Sequence, residues 1–196
     1  GKVIGVEANA DGLIKTIHAK AVILATGGFG ASKEYMKRFR PDLADYKTTN
    51  QPGATGDGLK LAEGVGGELM QMDLVQVHPT VQQDNPHVYL IGEAVRGEGA
   101  ILVNAEGNRF VNELNTRKIV SNAITALPEH SAYLIFDQGI RDHAKAIEFY
   151  DKVGLVVHGG TIEDLAKNLN MDPENLKKTV ATWNEAVGNH DDKEFH

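Results

Sequence analysis

The sequence predicts an α+β fold that divides near Asp73, and three local patterns carry the prediction. Asp11-Gly12 stands between two short β-prone runs, a strong hairpin signal. The apolar run Ala21-Val22-Ile23-Leu24-Ala25 stops abruptly at Thr26-Gly27-Gly28-Phe29-Gly30, as expected of a strand buried on both faces that feeds a glycine turn. Near the end, Asp172 and Pro173 open a segment in which Leu176, Val180, Trp183 and Val187 recur at helical spacing, giving an amphipathic helix with one apolar stripe.

Taken in order, Val3 to Glu7 and Leu13 to His18 form the hairpin around Asn9-Ala10-Asp11-Gly12. Residues 21–25 form the buried strand. Ser32 caps a short helix running to about Phe39, which Pro41 closes. The polar, glycine-rich stretch from Thr48 to Gly58 leads into a helix from Leu59 to about Val65. Its glycines permit positive φ angles and close approach of a ligand, and the helix start offers free N–H groups. Glu68 to Val77 is extended. A second hairpin pairs Ala100–Asn104 with Arg109–Asn112 across Ala105-Glu106-Gly107-Asn108. Helix follows from Arg117 to Ala126, a short strand from Ala132 to Phe136, one helix from Gln138 to Phe149, and another capped by Thr161.

Composition narrows the function. With 20 Lys and Arg against 27 Asp and Glu, the net charge is −7, which argues against nucleic acid, whose binding needs a surplus of basic residues on one face. No apolar run approaches the roughly 20 residues of a membrane helix, and direct membrane insertion is not expected. The first residues lack a signal peptide's regions. The chain has no cysteine, so disulfides, thiolate nucleophiles and Cys-ligated metals are excluded, and a reducing, cytoplasmic setting is the default, although targeting information could precede Gly1. The eight histidines show no metal-ligand spacing, so no metal site is expected. The dinucleotide fingerprint, the Walker loop, the zinc-protease motif and the nucleophile elbow are all missing.

Four segments remain: ATGGFG at 25–30, NQPGATGDG at 50–58, QVHPT at 76–80 and EAVRGEGAILVNAEGNRFVNELNTR at 93–117. In this order and at these intervals they resemble the flavoprotein subunits of the fumarate reductase and succinate dehydrogenase superfamily, especially the soluble branch with the flavocytochrome c fumarate reductases. The resemblance runs over nearly the whole chain, and the fourth segment is its most specific part. It implies that residues 1–72 are part of an FAD-binding domain and that residues 73–196 form the capping domain that closes over substrate. Thr26, Gly27, Gly28 and Asp57 then belong to the FAD cradle. From the residues alone, those glycines could simply make turns and Asp57 could cap a helix.

The same resemblance assigns His78 to a substrate carboxylate, Glu93 and Arg96 to a proton relay, and Arg117 to both carboxylate clamp and proton donor. A planar guanidinium grips a carboxylate through two parallel bonds. Flavin N5 would deliver hydride to one carbon of an activated double bond while Arg117 protonates its neighbour, turning fumarate into succinate. On chemistry alone, His78 could be a satisfied strand-end histidine, and Glu93, Arg96 and Arg117 a structural ion-pair network. Arg109, just past a turn, reads as structural.

Two positions depart from the soluble fumarate reductases. Gly92 stands where they commonly carry a substrate-binding threonine before the glutamate, and Lys118 where they usually carry aspartate. Urocanate or another α,β-unsaturated acid is therefore also open as substrate. So are a ketosteroid dehydrogenase or aspartate oxidase on the same cofactor strand, and a non-catalytic module that keeps the fold. Against the family pattern, an N-terminal dinucleotide-binding half and a C-terminal part are absent. The expected partners are thus a small dicarboxylate or unsaturated acid and the remaining parts of the same flavoprotein, and the chain alone is expected to bind FAD weakly and not to turn over.

Overall fold

The computed structural model describes residues 1–195, and the chain forms two compact units, Gly1–Val75 and Gln76–His196. Helices and strands are mixed, and among the described residues the strands form three two-stranded antiparallel sheets.

In the first unit, β1 (Gly5–Ala10) pairs with β2 (Leu13–His18) in the register Ala10↔Leu13. The turn is tighter than the sequence suggests. Only Asp11 and Gly12 lie outside the ladder, both with positive φ (54° and 82°), which suits the two-residue turns that match strand twist. The predicted buried strand at 21–25 does not form. No strand among the described residues pairs with it, so its backbone lacks a ladder, and apart from the half-buried Val22 its side chains are exposed, Ile23 to 89%. Helix α1 (Lys33–Phe39) starts where Ser32 Oγ accepts from Tyr35 N. A 3-10 turn follows at Pro41–Leu43. Helix α2 (Asp57–Gly64) begins two residues earlier than expected, at the end of the glycine-rich loop.

The second unit holds the core. Short strands β3 (Val81–Gln82) and β4 (Tyr89–Leu90) pair, and a single helical turn, α3 (Ala94–Gly97), follows. Strand β5 (Ile101–Val103) pairs with β6 (Tyr133–Ile135), not with the segment after residue 108 as the second hairpin required. That nearer segment makes an isolated bridge, Val103↔Arg109. The Arg109 side chain is drawn into a buried ion pair, while β6 brings Tyr133, Leu134 and Ile135 to cover β5.

Because strand side chains alternate between faces, β5 feeds two separate clusters. Ile101 and Val103 pack with Ala166, Met171 and Leu176, and Leu102 with Val111, Val120 and Ile124. A third cluster gathers Val95, Ala100, Ala144, Ile147 and Tyr150.

Helix α4 (Arg117–Thr125) is capped by Thr116. The single helix expected at 138–149 is two, α5 (Gln138–His143) and α6 (Ala146–Lys152), broken where Ala144 takes φ −87°, ψ 76° and buries its methyl. Helices α7 (Ile162–Asn168) and α8 (Pro173–Asn189) start at the expected caps, Thr161 and Asp172. The apolar stripe of α8 is shorter than predicted: Leu176 is fully buried, but Val187 is 53% exposed, beyond the reach of the core. No helix among the described residues is long and apolar enough to cross a membrane.

Candidate active site

Three loops of the second unit are tied together by short bonds. Thr80 Oγ1 donates to Ile91 O at 2.7 Å, and Ile91 N donates to Thr80 O at 3.0 Å, joining the His78 segment to the strand end before Glu93. Ser121 Oγ, on α4, donates to Val77 O at 3.1 Å. Arg117 is the first residue of α4, held there because Thr116 caps the helix through Ile119 N.

These ties gather four of the predicted site residues. Arg117 grips Glu93 with two parallel bonds, Nε to Oε1 at 2.5 Å and Nη2 to Oε2 at 2.7 Å, and its Nη1 donates to Gln76 Oε1. Arg96 Nη2 lies 3.7 Å from Glu93 Oε1, one helical turn along, while its Nη1 donates to Glu113 O at 2.5 Å. His78 stands close enough to feel the charges of Glu93, Arg117 and Arg96. Its Nδ1 accepts the Thr80 N–H at 3.2 Å, so in the neutral ring the proton sits on Nε2.

The electrostatics follow from this pairing. The bonds from Arg117 hold the Glu93 carboxyl down to about 2, with the charges of Arg117, Arg96 and His78 adding to the effect and partial desolvation opposing it. Glu93 in return raises Arg117. Burial pushes Arg96 below the usual guanidinium range, Glu93 offsetting part of this. Burial also keeps His78 below its ordinary 6.5, against the pull of Glu93. The cluster therefore holds two cations, one anion and an imidazole that resists charging.

Gly92 is in the same loop. Its N–H donates to Tyr150 Oη at 2.9 Å, and a Cβ built there would meet only that hydroxyl, at 3.6 Å. Gln76, Glu113 and Tyr150 are contacts the sequence reading did not assign. Gln76 lay inside the QVHPT segment, and Glu113 follows Arg109 by four residues with opposite charge; Tyr150, 58 residues from Gly92, gave no local signal.

In the first unit, the segments around Thr26–Gly28 and Gly56–Gly58 meet. Gly56 N donates to Gly28 O at 3.1 Å. A Cβ at Gly58 would fall 2.1 Å from Thr26 Oγ1, and one at Gly56 only 2.7 Å from the Tyr35 ring, with φ +79° besides. Those two glycines are needed for the loops to close on each other. Gly27 and Gly28 differ: a Cβ at either would have no protein atom within 4 Å. Bare backbone thus faces open space beside the first turn of α2, where Asp57 is exposed. An accessible glycine turn next to a helix start fits a flat, phosphate-bearing cofactor. No group of three or more His, Asp or Glu among the described residues is arranged to hold a metal.

Comparison with known proteins agrees. The FAD binding domain family matches residues 1–196. The NADH:fumarate oxidoreductase of Klebsiella pneumoniae (strain 342) is 44% identical over 179 residues, 91% of this chain and 19% of the relative. A urocanate reductase of Eggerthella lenta is 33% identical over 206 residues, 100% of this chain and 34% of the relative. The open conformation of a flavocytochrome c3 fumarate reductase superposes with a TM-score of 0.71 at 40% identity, covering 98% of this chain and 34% of that one. The chain thus spans about a fifth to a third of the length of these relatives. With the FAD family matched end to end, and with fumarate reductases similar in both sequence and fold, the chain belongs to the fumarate reductase/succinate dehydrogenase family of FAD-binding flavoproteins.

Proposed function

We propose that the polypeptide containing this chain is an FAD-dependent enoate reductase, with fumarate to succinate as its leading reaction. The observation that supports this reading is the run of alternating charge Arg117–Glu93–Arg96, at 2.5 and 3.7 Å, with His78 beside it. Residues 1–75 are then part of the FAD-binding domain, in which Thr26, Gly27, Gly28 and Asp57 hold the cofactor, and residues 76–196 are the capping domain. Bound FAD supplies a hydride to one carbon of the substrate double bond.

The remaining work falls to residues of this chain. His78 donates Nε2–H to a substrate carboxylate, a role its low proton affinity keeps available in the neutral form. The bonds Arg117 makes use one N–H on each of its three nitrogens, and of the five guanidinium donors one on Nη1 and one on Nη2 are left to clamp the substrate. Arg117 then protonates the carbon adjacent to the hydride acceptor and recovers its proton through Glu93, which is supplied in turn by Arg96. Because Glu93 raises Arg117, the proton is given up only toward a strongly basic carbon.

A second reading, reduction of a bulkier unsaturated acid such as urocanate, is favoured by Gly92, whose missing side chain leaves space bounded by Tyr150 Oη at 3.6 Å. The experiment is Arg117→Ala in the full-length protein, assayed with fumarate, acrylate and urocanate. Turnover on the preferred acid is expected to fall on the order of 10²–10⁴-fold, the usual worth of a general acid, while FAD content stays unchanged. Undiminished turnover in that variant rejects the mechanism.

A further inference from the structure

Arg96 is the most deeply buried member of the relay, at 4% side-chain exposure, and its restraint is one-sided. Its Nε is buried without a hydrogen-bond partner in the protein, and Nη2 reaches Glu93 only at 3.7 Å. The short contact is Nη1 to the main-chain carbonyl of Glu113, at 2.5 Å. Whatever fixes residue 113 therefore fixes Arg96.

Glu113 is fixed by its own side chain. Oε1 accepts from Leu102 N, in the middle of β5, at 3.0 Å, and from Arg109 Nε at 3.0 Å. Oε2 accepts from Arg109 Nη2 at 2.8 Å. Arg109 is itself 2% exposed, lies 4.5 Å from the ring of Trp183 and 5.0 Å from that of Phe195, and bonds Asp192 and Glu194. A two-bond arginine–carboxylate pair of this kind has one geometry, and little slack remains when both partners are buried.

We propose that Glu113, locked by Arg109 and Leu102, is a positioning residue that holds Arg96 against Glu93. This inference rests on the relay reading above and deepens it. In this role Glu113 acts on Arg96 and not on the substrate itself. Its side chain acts through its own backbone carbonyl, and the network Arg109–Glu113–Arg96–Glu93–Arg117 is continuous from the Trp183 face of α8 to the first turn of α4. Proton delivery depends on sub-ångström placement of donor and acceptor, so loosening Arg96 should lower the rate.

Two variants of the full-length protein test it. Glu113→Gln keeps the volume but turns an amide toward a guanidinium, and Arg109→Lys keeps the charge but gives up the second bond, which covers the case in which the first variant does not fold. Both should lower kcat by roughly tenfold or more with KM within about twofold, since Arg117 and His78 remain in place. The readout that a purely structural role would not move is the titration of His78, followed by NMR. His78 is held down by burial and by the charges of Arg117 and Arg96, while Glu93 pulls it up. If Arg96 drifts from its place, His78 must titrate at higher pH. Loss of the Glu113 charge acting directly through space would move it the other way. Arg117→Ala is measured alongside. A dead Arg117→Ala with Glu113→Gln and Arg109→Lys at wild-type kcat, and His78 unshifted, overturns the positioning role and leaves the proposed function standing. An active Arg117→Ala overturns the proposed function, and the His78 titration still decides whether Glu113 places Arg96.

Discussion

Ala21–Ala25 and Ile101–Val103 are both short, β-prone apolar runs, yet they end in opposite conditions. Val103 has no exposed surface, and Ile23 is 89% exposed. Composition does not separate them; partners do. Strand β5 pairs with β6 and sends alternate side chains into two clusters, whereas residues 21–25 have no ladder among the described residues and only Val22 is partly covered. The lesson extends to the two units. The three hydrophobic clusters among the described residues all lie beyond residue 75, while β1 and β2 leave Val6, Leu13, Ile14 and Ile17 exposed. Burial at roughly 25 cal/mol per Å² of apolar surface stabilises only the side chains that leave water.

The largest expected consequence is in local opening. Amide hydrogen exchange on this chain should be close to unprotected at 21–25 and should approach the global unfolding limit at Ile101–Val103. Equal protection in the two runs would break the contrast. Next in size are side-chain truncations measured by denaturant unfolding. Leu102→Ala should cost about 2–5 kcal/mol, because it opens a cavity in a closed cluster. Ile23→Ala should stay within about 0.5 kcal/mol, because nothing packs on it. A large loss at Ile23 would show cover that the contacts do not reveal.

The smallest effect is expected at the half-exposed pair Arg117–Glu93. The Glu93 carboxyl should titrate near 2, and Arg117→Ala should return it toward 4.5. Since the folded value is depressed, the pair's contribution is complete above 4.5 and is lost as pH falls toward 2. A carboxyl that titrates near its ordinary value in the unmodified chain would overturn the proposed relay.

What could be read from the sequence was what neighbours in sequence decide. Ser32, Thr161 and Asp172 cap their helices through bonds spanning two or three residues, and the Asp11-Gly12 turn needs only the backbone freedom of those residues. The misreadings involve distance. The second hairpin failed because β6, about thirty residues away, covers β5 better than the adjacent segment, whose arginine is held in a buried pair. The break between α5 and α6 falls at Ala144 and Lys145, both good helix formers, so propensity gave no warning. In the site, the charged residues stood out by type, but their brackets did not: Glu113 works through a main-chain carbonyl and Tyr150 through a bond to Gly92.

Trp183 is the chain's one tryptophan, and its indole stacks 4.5 Å from the Arg109 guanidinium. This makes it a native optical reporter. Its emission colour and quenching within this chain should track whether the buried charge beside it is seated, so that disturbances four side chains from the chemistry become visible without a label.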